Sequence, residues 1–283
     1  MSFLERITEC NNARLEDYLP FNIGHDRVGW LRPEFAQSLR QWPNVFVIDE
    51  AGVHLNPEIT DFRQRTNILD EIVRELIHQD VIGHYLAESY AVTPGNREQA
   101  QCLIDRGAVA QFGIRAFGQH LNGYVRKDDG LYMWIGKRSM DRRLAPGKLD
   151  NFVAGGLPYD IPLHDNLVKE CHEEAGLAPQ LAGQARPVGM ISYMAETPNG
   201  IKPDVMYCYD LELPEHVIPV CRDGEVDSFR LLPLAEVAEI VEQTNAFKQN
   251  CNLVIIDFLL RHGFLGPERE DYIALCSNLR QNL

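Results

Sequence analysis

The chain has 283 residues, of which 45% are hydrophobic and 24% are charged, and its formal net charge is −14. This apolar content is enough for a sizeable core, and the length favours two domains over one. The acidic balance would repel a phosphate backbone and argues against nucleic acid as a partner. The sequence contains no run of about 18 apolar residues, so we predict no helix that crosses a membrane.

The cysteines bear on the cellular compartment. Seven of them are scattered along the chain, and none forms a C-x-x-C pair. This spacing argues against a disulfide framework and against zinc, and it favours a reducing compartment. The first residues carry acidic side chains and no long apolar run, so we predict no secretory signal. We therefore expect a cytoplasmic protein with no membrane partner.

The first part of the chain predicts a small α/β unit. Hydrophobic periodicity indicates a long amphipathic helix at residues 59–79, and residues 45–49 and 52–55 predict a hairpin. A strand follows around Tyr90, and residues 97–107 predict a connecting helix. We accordingly predict an accessory domain at residues 1–95 and a second domain at residues 96–283.

The second part predicts a mixed β-sheet flanked by helices, which is an α/β fold. The strands are predicted within residues 110–126, 131–139, 188–194, 204–213 and 228–234. The helices are predicted at residues 163–175, 234–243, 250–262 and 267–280. Gly176 follows the first of these helices and is a natural stop signal for it.

Three glutamates on that first helix are the strongest functional signal. Glu170, Glu173 and Glu174 have the spacing i, i+3, i+4, so they share one helix face and repel one another. A divalent cation would compensate this repulsion, and hard carboxylate oxygens suit Mg²⁺, or Mn²⁺ in its place. The alternative interpretation is an ordinary acidic face turned to solvent.

Residues 155–177 resemble the signature of the Nudix hydrolases, G-x5-E-x7-R-E-U-x-E-E-x-G-U, in which U is a bulky apolar residue. The positions that match are Gly155, Glu170, Glu173, Glu174, Gly176 and Leu177. Ile161 stands where the first glutamate is usual, and Lys169 stands where arginine is usual. Lysine keeps the charge but lacks the planar fork, so Lys169 either orients the neighbouring glutamate or only pairs with Glu173.

A closer resemblance extends over nearly the whole chain. Segments such as DNFVAGG, KECHEEA, DGEVDSF and the N-terminal GWLRPEFAQSL are similar to one Nudix branch. That branch has an extra N-terminal domain and is often labelled thiamine pyrophosphokinase-related. The resemblance implies a Nudix α/β/α sandwich with a mixed sheet, and Mg²⁺-dependent hydrolysis of thiamine diphosphate, or of its oxidised or antivitamin analogues, to the monophosphate and phosphate. Two alternatives stay open, a pyrophosphatase for ADP-ribose or NADH and a non-catalytic ligand sensor.

The resemblance also implies roles for individual residues. Glu170, Glu173 and Glu174 would hold the metal, and a backbone carbonyl of Gly155 or Gly156 would complete its shell, because glycine allows close approach. Glu225 precedes a predicted strand and is a candidate for a further metal ligand or the general base. A turn acid without catalytic function is the alternative for Glu225.

A basic run lies just upstream of the two glycines. Arginine suits bidentate contacts with phosphate, so we consider this run a candidate for binding the diphosphate substrate, with a solvated loop as the alternative. Its members are Arg138, Arg142, Arg143 and Lys148. The sequence leaves open whether the protein forms a homodimer.

Overall fold

The computed structural model describes residues 2–283. These residues form thirteen β-strands and eight α-helices. The strands are β1 Leu19–Ile23, β2 Asp26–Leu31, β3 Phe46–Asp49, β4 Gly52–Leu55, β5 Ser89–Val92, β6 Cys102–Asp105, β7 Ala116–Lys127, β8 Gly130–Arg138, β9 Leu149–Asp150, β10 Val153–Gly156, β11 Arg186–Thr197, β12 Gly200–Glu212 and β13 Val226–Pro233. The helices are α1 Phe3–Glu9, α2 Pro33–Leu39, α3 Phe62–His78, α4 Leu163–Ala175, α5 Pro179–Ala182, α6 Leu234–Gln243, α7 Gln249–Arg261 and α8 Tyr272–Asn278.

The N-terminal unit is built on a four-stranded sheet with the strand order β2-β1-β4-β3. The predicted hairpin is present as β3 and β4, and the predicted long helix is α3. Helix α3 turns one apolar stripe, which includes Leu69, Ile72 and Leu76, towards the core. This is the amphipathic pattern from which the helix was predicted.

The connecting helix predicted at residues 97–107 is wrong. Strand β6 occupies this region between two short 3₁₀ turns and pairs antiparallel with β5. The pairing buries Cys102 and Ile104 in the N-terminal core, and this tertiary contact outweighs local propensity. The boundary predicted at residue 95 falls between these two paired strands, and the same core continues to Ile114.

The second unit contains a seven-stranded mixed sheet. Its main path is β11-β12-β7-β8-β13, while β10 pairs with the first half of β7 and β9 pairs with β8. Strands β7 and β12 run parallel, and the other pairs in this sheet are antiparallel. The register places Gly155 opposite Gln119 and Gly156 opposite Gly118.

Helices cover both faces of this sheet. Helix α4 packs on one face through Leu167 and Cys171. Helices α6, α7 and α8 pack on the other face, together with α1 from the start of the chain. The predicted α/β fold with a mixed sheet between helical layers is therefore confirmed. Among the helices of residues 2–283, none has both the length and the apolar character needed to span a bilayer.

Candidate metal and diphosphate site

Helix α4 has the bounds predicted from the sequence. It ends at Gly176, whose φ of 66° lies in the left-handed region that favours glycine. Cys171 is fully buried on the sheet side of the helix, which explains an apolar residue at this position of the signature. This packing fixes the rotation of α4, and it turns Glu170 and Glu174 towards strand β10.

Two of the three glutamates are held against the backbone of β10. The Glu174 carboxylate accepts a hydrogen bond of 3.0 Å from the backbone N–H of Ala154. The Glu170 carboxylate lies so close to Gly155 that a β-carbon there would be 2.5 Å from its Cδ. Gly155 therefore has to be glycine for Glu170 to occupy this position. The structure brings these two carboxylates together at the end of β10.

Glu173 lies at the rim of the site. Its side chain is 44% exposed, against 16% for Glu170, and it forms a 2.9 Å ion pair with Lys169. The same lysine also lies 3.3 Å from Glu170. Lys169 thus makes both contacts that the sequence suggested, one with each glutamate.

The charge balance at Glu174 fits a metal site. Burial raises the pKa of Glu174 well above its ordinary value, and the negative charges of Asp150, Glu170 and Glu225 raise it further. Within residues 2–283, no lysine, arginine or histidine forms an ion pair with Glu174. A buried carboxylate without a counter-ion is costly. The oxygen donors of Glu170 and Glu174 therefore fit a hard divalent cation, which would supply the missing charge.

Glu225 faces the same cluster from the loop before β13. It forms an ion pair with Arg142, and its backbone carbonyl accepts a 2.9 Å hydrogen bond from Ser139. Its charge is near enough to raise the pKa of Glu170, after the larger effect of burial. The charge of Glu225 thus acts on the carboxylate cluster, and its role as a metal ligand or base stays a prediction.

The four members of the basic run have different surroundings. Arg138 is committed to the protein interior, where its guanidinium forms a 2.6 Å ion pair with Asp150. Lys148 donates a hydrogen bond to the backbone carbonyl of Asn245. Arg142 lies beside Glu225, and Arg143 is exposed. The structure therefore brings Arg142 to the carboxylate cluster and directs Arg138 and Lys148 elsewhere.

A second group of metal-ligand types lies deeper in the sheet. Ligand atoms of His120, Asp150 and Cys251 lie within 4.8 Å of one another, and all three residues are buried. Asp150 accepts a 2.7 Å hydrogen bond from the Cys251 thiol, and Arg138 and Lys248 already balance its charge. Burial lowers the pKa of His120 to about 4 and raises the pKa of Cys251 well above its ordinary value. Two cations at this group would repel a metal ion, so its chemistry fits a structural hydrogen-bond network.

The structure adds a residue on α4 that the sequence analysis did not single out. Asn166 donates to the Gly156 carbonyl at 3.0 Å and to the Gln119 side chain at 2.8 Å. It lies four residues before Glu170 and so on the same helix face, which was a usable signal. Because Asn166 already binds the Gly156 carbonyl, this oxygen is a less open metal ligand than the sequence suggested.

Arg97, from the N-terminal unit, fixes the loop that contains the irregular position of the signature. Its buried guanidinium donates to the backbone carbonyls of Pro158 at 2.7 Å and Ile161 at 2.8 Å. Ile161 thus contributes its backbone to this contact, at the position where the signature has a carboxylate. Nothing in the local sequence around Arg97 signals this contact, which spans more than sixty residues.

Tyr90 and Arg106 of the N-terminal unit also reach this loop, residues 155–161, which we call the glycine loop. The space that a side chain on Gly156 would take is filled by the Tyr90 hydroxyl, and the Arg106 guanidinium lies 3.5 Å from the same point. The backbone N–H of Tyr159 donates to Ser89 at 2.8 Å, which ties the two units together at this point. The N-terminal unit therefore forms one wall of the site.

Comparison with known proteins gives relatives for the whole chain. The model of a domain of unknown function, DUF4743, matches residues 2–116. "Nudix hydrolase 24, chloroplastic" of Arabidopsis thaliana is 42% identical over 98% of this chain and 77% of its own length. "Nudix hydrolase 20, chloroplastic" of the same plant is 40% identical over the same shares of both chains. An uncharacterized protein of Saccharomyces cerevisiae is 33% identical over 84% of this chain and 74% of its own length.

Among solved structures, one similar chain is the NUDIX domain of Shewanella oneidensis NrtR, determined in complex with ADP ribose. It is 14% identical, with a TM-score of 0.42, and the match covers 53% of this chain and 90% of that one. A C. elegans Ap4A hydrolase complex is 12% identical, with a TM-score of 0.39, over 53% of this chain and 99% of that chain.

Proposed function

Since the chain belongs to the Nudix hydrolase family, we propose that it hydrolyses thiamine diphosphate, or an oxidised or antivitamin analogue, to the monophosphate and phosphate. One observation carries this proposal. Glu174 is buried and Glu170 partly buried against the backbone of β10, and within residues 2–283 no cationic side chain forms an ion pair with Glu174. Two such carboxylates favour Mg²⁺, the hard divalent cation that most often accompanies phosphate substrates.

The proposed reaction breaks one phosphoanhydride bond. A water oxygen forms a bond to one phosphorus, the bridging P–O bond breaks, and the bridging oxygen leaves with the other phosphate. One proton of the attacking water passes to a carboxylate, and Glu225 is our candidate for this base because it faces Glu170 and Glu174. The metal, when bound to these glutamates, would neutralise charge on the phosphate oxygens.

The sheet beside the glutamates offers a surface for an organic ring. In the register of three neighbouring strands, Tyr207 lies next to Gln119, and Gln119 lies next to Gly155. Two strand spacings separate Tyr207 from Gly155, which is about 10 Å. Residues in register point to the same face of a sheet, so Tyr207 shares the face on which Glu170 lies.

Tyr207 is half-buried and stacks on Phe117 with 6.3 Å between ring centroids. Burial raises the pKa of Tyr207, the nearby charge of Glu98 raises it further, and that of Arg97 lowers it. The face of an aromatic ring favours a cationic ring, such as the thiazolium of thiamine, over a neutral purine. These features support the choice of thiamine-type substrates.

The test is a panel of diphosphates with Mg²⁺. The panel contains thiamine, oxythiamine and oxothiamine diphosphates, together with ADP-ribose and NADH, and it measures released phosphate and monophosphate products. We expect the highest kcat/KM for a thiamine-type substrate. If no member of the panel is hydrolysed, the proposal is rejected. A preference for ADP-ribose or NADH would mean that the substrate is a nucleoside diphosphate derivative and not a thiamine diphosphate.

A further inference from the structure

We propose that the N-terminal unit completes the active site by supplying Arg106 as a ligand for the phosphates of the substrate. This inference rests on the proposed function, because it assumes a diphosphate at the glutamate cluster. It assigns a role to residues 2–116, which match a domain of unknown function.

The orientation of Arg106 is fixed from within its own unit. Its backbone N–H donates to the Glu88 carbonyl at 2.8 Å. Nη1 of its guanidinium contacts both carboxylate oxygens of Glu88, at 3.1 and 2.9 Å. Within residues 2–283, Nε and Nη2 of Arg106 have no hydrogen-bond acceptor, and the side chain is 38% exposed. Arg106 is thus held in place by Glu88, while Nε and Nη2 of its guanidinium can donate hydrogen bonds to a ligand.

The guanidinium of Arg106 lies at the glycine loop. Its Cζ and Nη1 are each 3.5 Å from the point where a β-carbon on Gly156 would lie. The next residue, Gly155, contacts the Glu170 carboxylate. Successive residues of a strand face opposite ways, so Arg106 and Glu170 flank β10 from its two sides, at the strand's end. The proposal places the diphosphate at this end, with one phosphate towards each group.

The charges on the two sides are complementary for such a ligand. A metal at Glu170 and Glu174 binds phosphate oxygens from the helix side. The planar guanidinium of Arg106 is suited to bidentate contacts with phosphate from the other side. Burial disfavours the charge on Arg106, but Tyr90, Glu88 and Glu225 raise its pKa, so the guanidinium is fully charged.

Arg97 shows what a purely structural arginine looks like at this junction. Arg97 is buried and donates to two carbonyls of the glycine loop, and so it joins the two units. Arg106 makes its ion pair with Glu88, within the same unit, and donates no hydrogen bond to the loop. A role in holding the units together therefore does not account for Arg106.

The test compares Arg106→Met and Arg106→Lys with Arg74→Met. Arg74 is a matched control, because it also pairs with a carboxylate of the N-terminal unit, Asp70 at 2.8 Å, and also lies over a tyrosine ring. For Arg106→Met we expect KM for the best diphosphate to rise about tenfold to a hundredfold, since a charge-assisted hydrogen bond is lost. The KM of Arg106→Lys should lie between those of wild type and Arg106→Met. The KM of Arg74→Met should stay within about twofold of the wild-type value.

A binding measurement separates this inference from the proposed function. Calorimetry with Mg²⁺ and imidodiphosphate, whose P–N–P bridge resists hydrolysis, reports phosphate binding without turnover. We expect the same loss of affinity, about tenfold or more, in Arg106→Met. An unchanged KM and unchanged affinity would overturn the role of Arg106, as would a fall in thermal stability alone. If wild-type protein binds imidodiphosphate but hydrolyses no diphosphate, the proposed function is rejected. The role of Arg106 in phosphate binding is then tested by the affinity measurement alone.

Discussion

The hydroxyl oxygen of Tyr90 occupies the space that a β-carbon on Gly156 would need. The two residues belong to different units, and the absence of a side chain on Gly156 lets the units meet. Gly156→Ala should therefore push Tyr90 and the loop apart. We expect kcat/KM for the best diphosphate to fall about tenfold or more, because a small displacement of a binding group is costly to the rate.

Two further variants identify the cause. Tyr90→Phe removes the clashing oxygen, so the Gly156→Ala/Tyr90→Phe double variant should regain part of the lost activity. Gly83→Ala is the matched control, since a β-carbon there would meet no atom within 4 Å. If the double variant were no better than Gly156→Ala, the close approach of Tyr90 would not be the cause of the loss.

Glu174→Gln should separate activity from stability. We expect kcat to fall at least about a hundredfold, because a metal ligand is weakened. A carboxyl whose pKa is raised by folding destabilises the fold once it is ionised, so at pH 7 the metal-free variant should have a higher unfolding midpoint than metal-free wild type. Added Mg²⁺ should stabilise wild type and have less effect on the variant.

Glu173→Gln is the control for this experiment, because Glu173 is half-exposed and paired with Lys169. We expect Glu173→Gln to lose less activity than Glu174→Gln and to have nearly the same unfolding midpoint as wild type in the absence of metal. Equal loss in both variants, together with equal metal responses, would contradict the distinction between a buried ligand and a rim residue.

Arg97→Met should weaken the junction between the two units. The variant leaves the carbonyls of Pro158 and Ile161 without their donor, and each hydrogen bond to a charged group contributes about 1.5–3 kcal/mol. We expect the free energy of unfolding in urea to fall by about 3 kcal/mol. Hydrogen exchange should rise first at residues 157–161. Glu98→Gln, which removes only an exposed partner of Arg97, should change stability by less than about 1 kcal/mol.

Asp210 should make part of the stability depend on pH. Burial alone would raise its pKa, but hydrogen bonds from His262 and Arg261 lower it below the ordinary value. Its contribution to stability is present above its unfolded pKa of about 3.9 and is lost as the pH falls through the lower folded pKa. Asp210→Asn should therefore be less stable at pH 7, by about 3–5 kcal/mol, and should lose less stability than wild type as the pH falls below about 4.

Urea unfolding at pH 7 and in acid measures this effect. Asp70→Asn breaks the more exposed pair with Arg74 and should cost less than about 1 kcal/mol at pH 7. A wild type and an Asp210→Asn variant with parallel pH profiles would show that Asp210 is not the titrating group.

Tyr207→Ala should change substrate preference more than turnover. If the tyrosine ring contacts the thiazolium, KM for thiamine diphosphate should rise about tenfold, while the affinity for imidodiphosphate should stay within about twofold. Tyr132→Ala is a control at a partly buried tyrosine whose hydroxyl donates a hydrogen bond to Asp129. Equal weakening of both ligands by Tyr207→Ala would mean that the ring does not recognise the organic half.

The helix that carries the glutamates is encoded in the local sequence. The bounds of α4, its end at Gly176 and the shared face of Glu170, Glu173 and Glu174 all follow from contacts within a few residues along the chain. Local periodicity contains this information, and so it also predicted α3 and the longer strands and helices of the second unit. The short elements β9, β10 and α5 were not predicted.

Long-range contacts determine the environment of each of these residues. Burial against β10 distinguishes Glu174, which has no ion-pair partner within residues 2–283, from Glu173 at the rim, although the sequence pattern treats both alike. The pairing of β5 with β6 replaced a predicted helix, and it also placed Tyr90 and Arg106 at Gly156. Tyr90 and Arg106 lie 50 or more positions before Gly156, and the energies of their contacts depend on burial and close approach, which local periodicity does not encode.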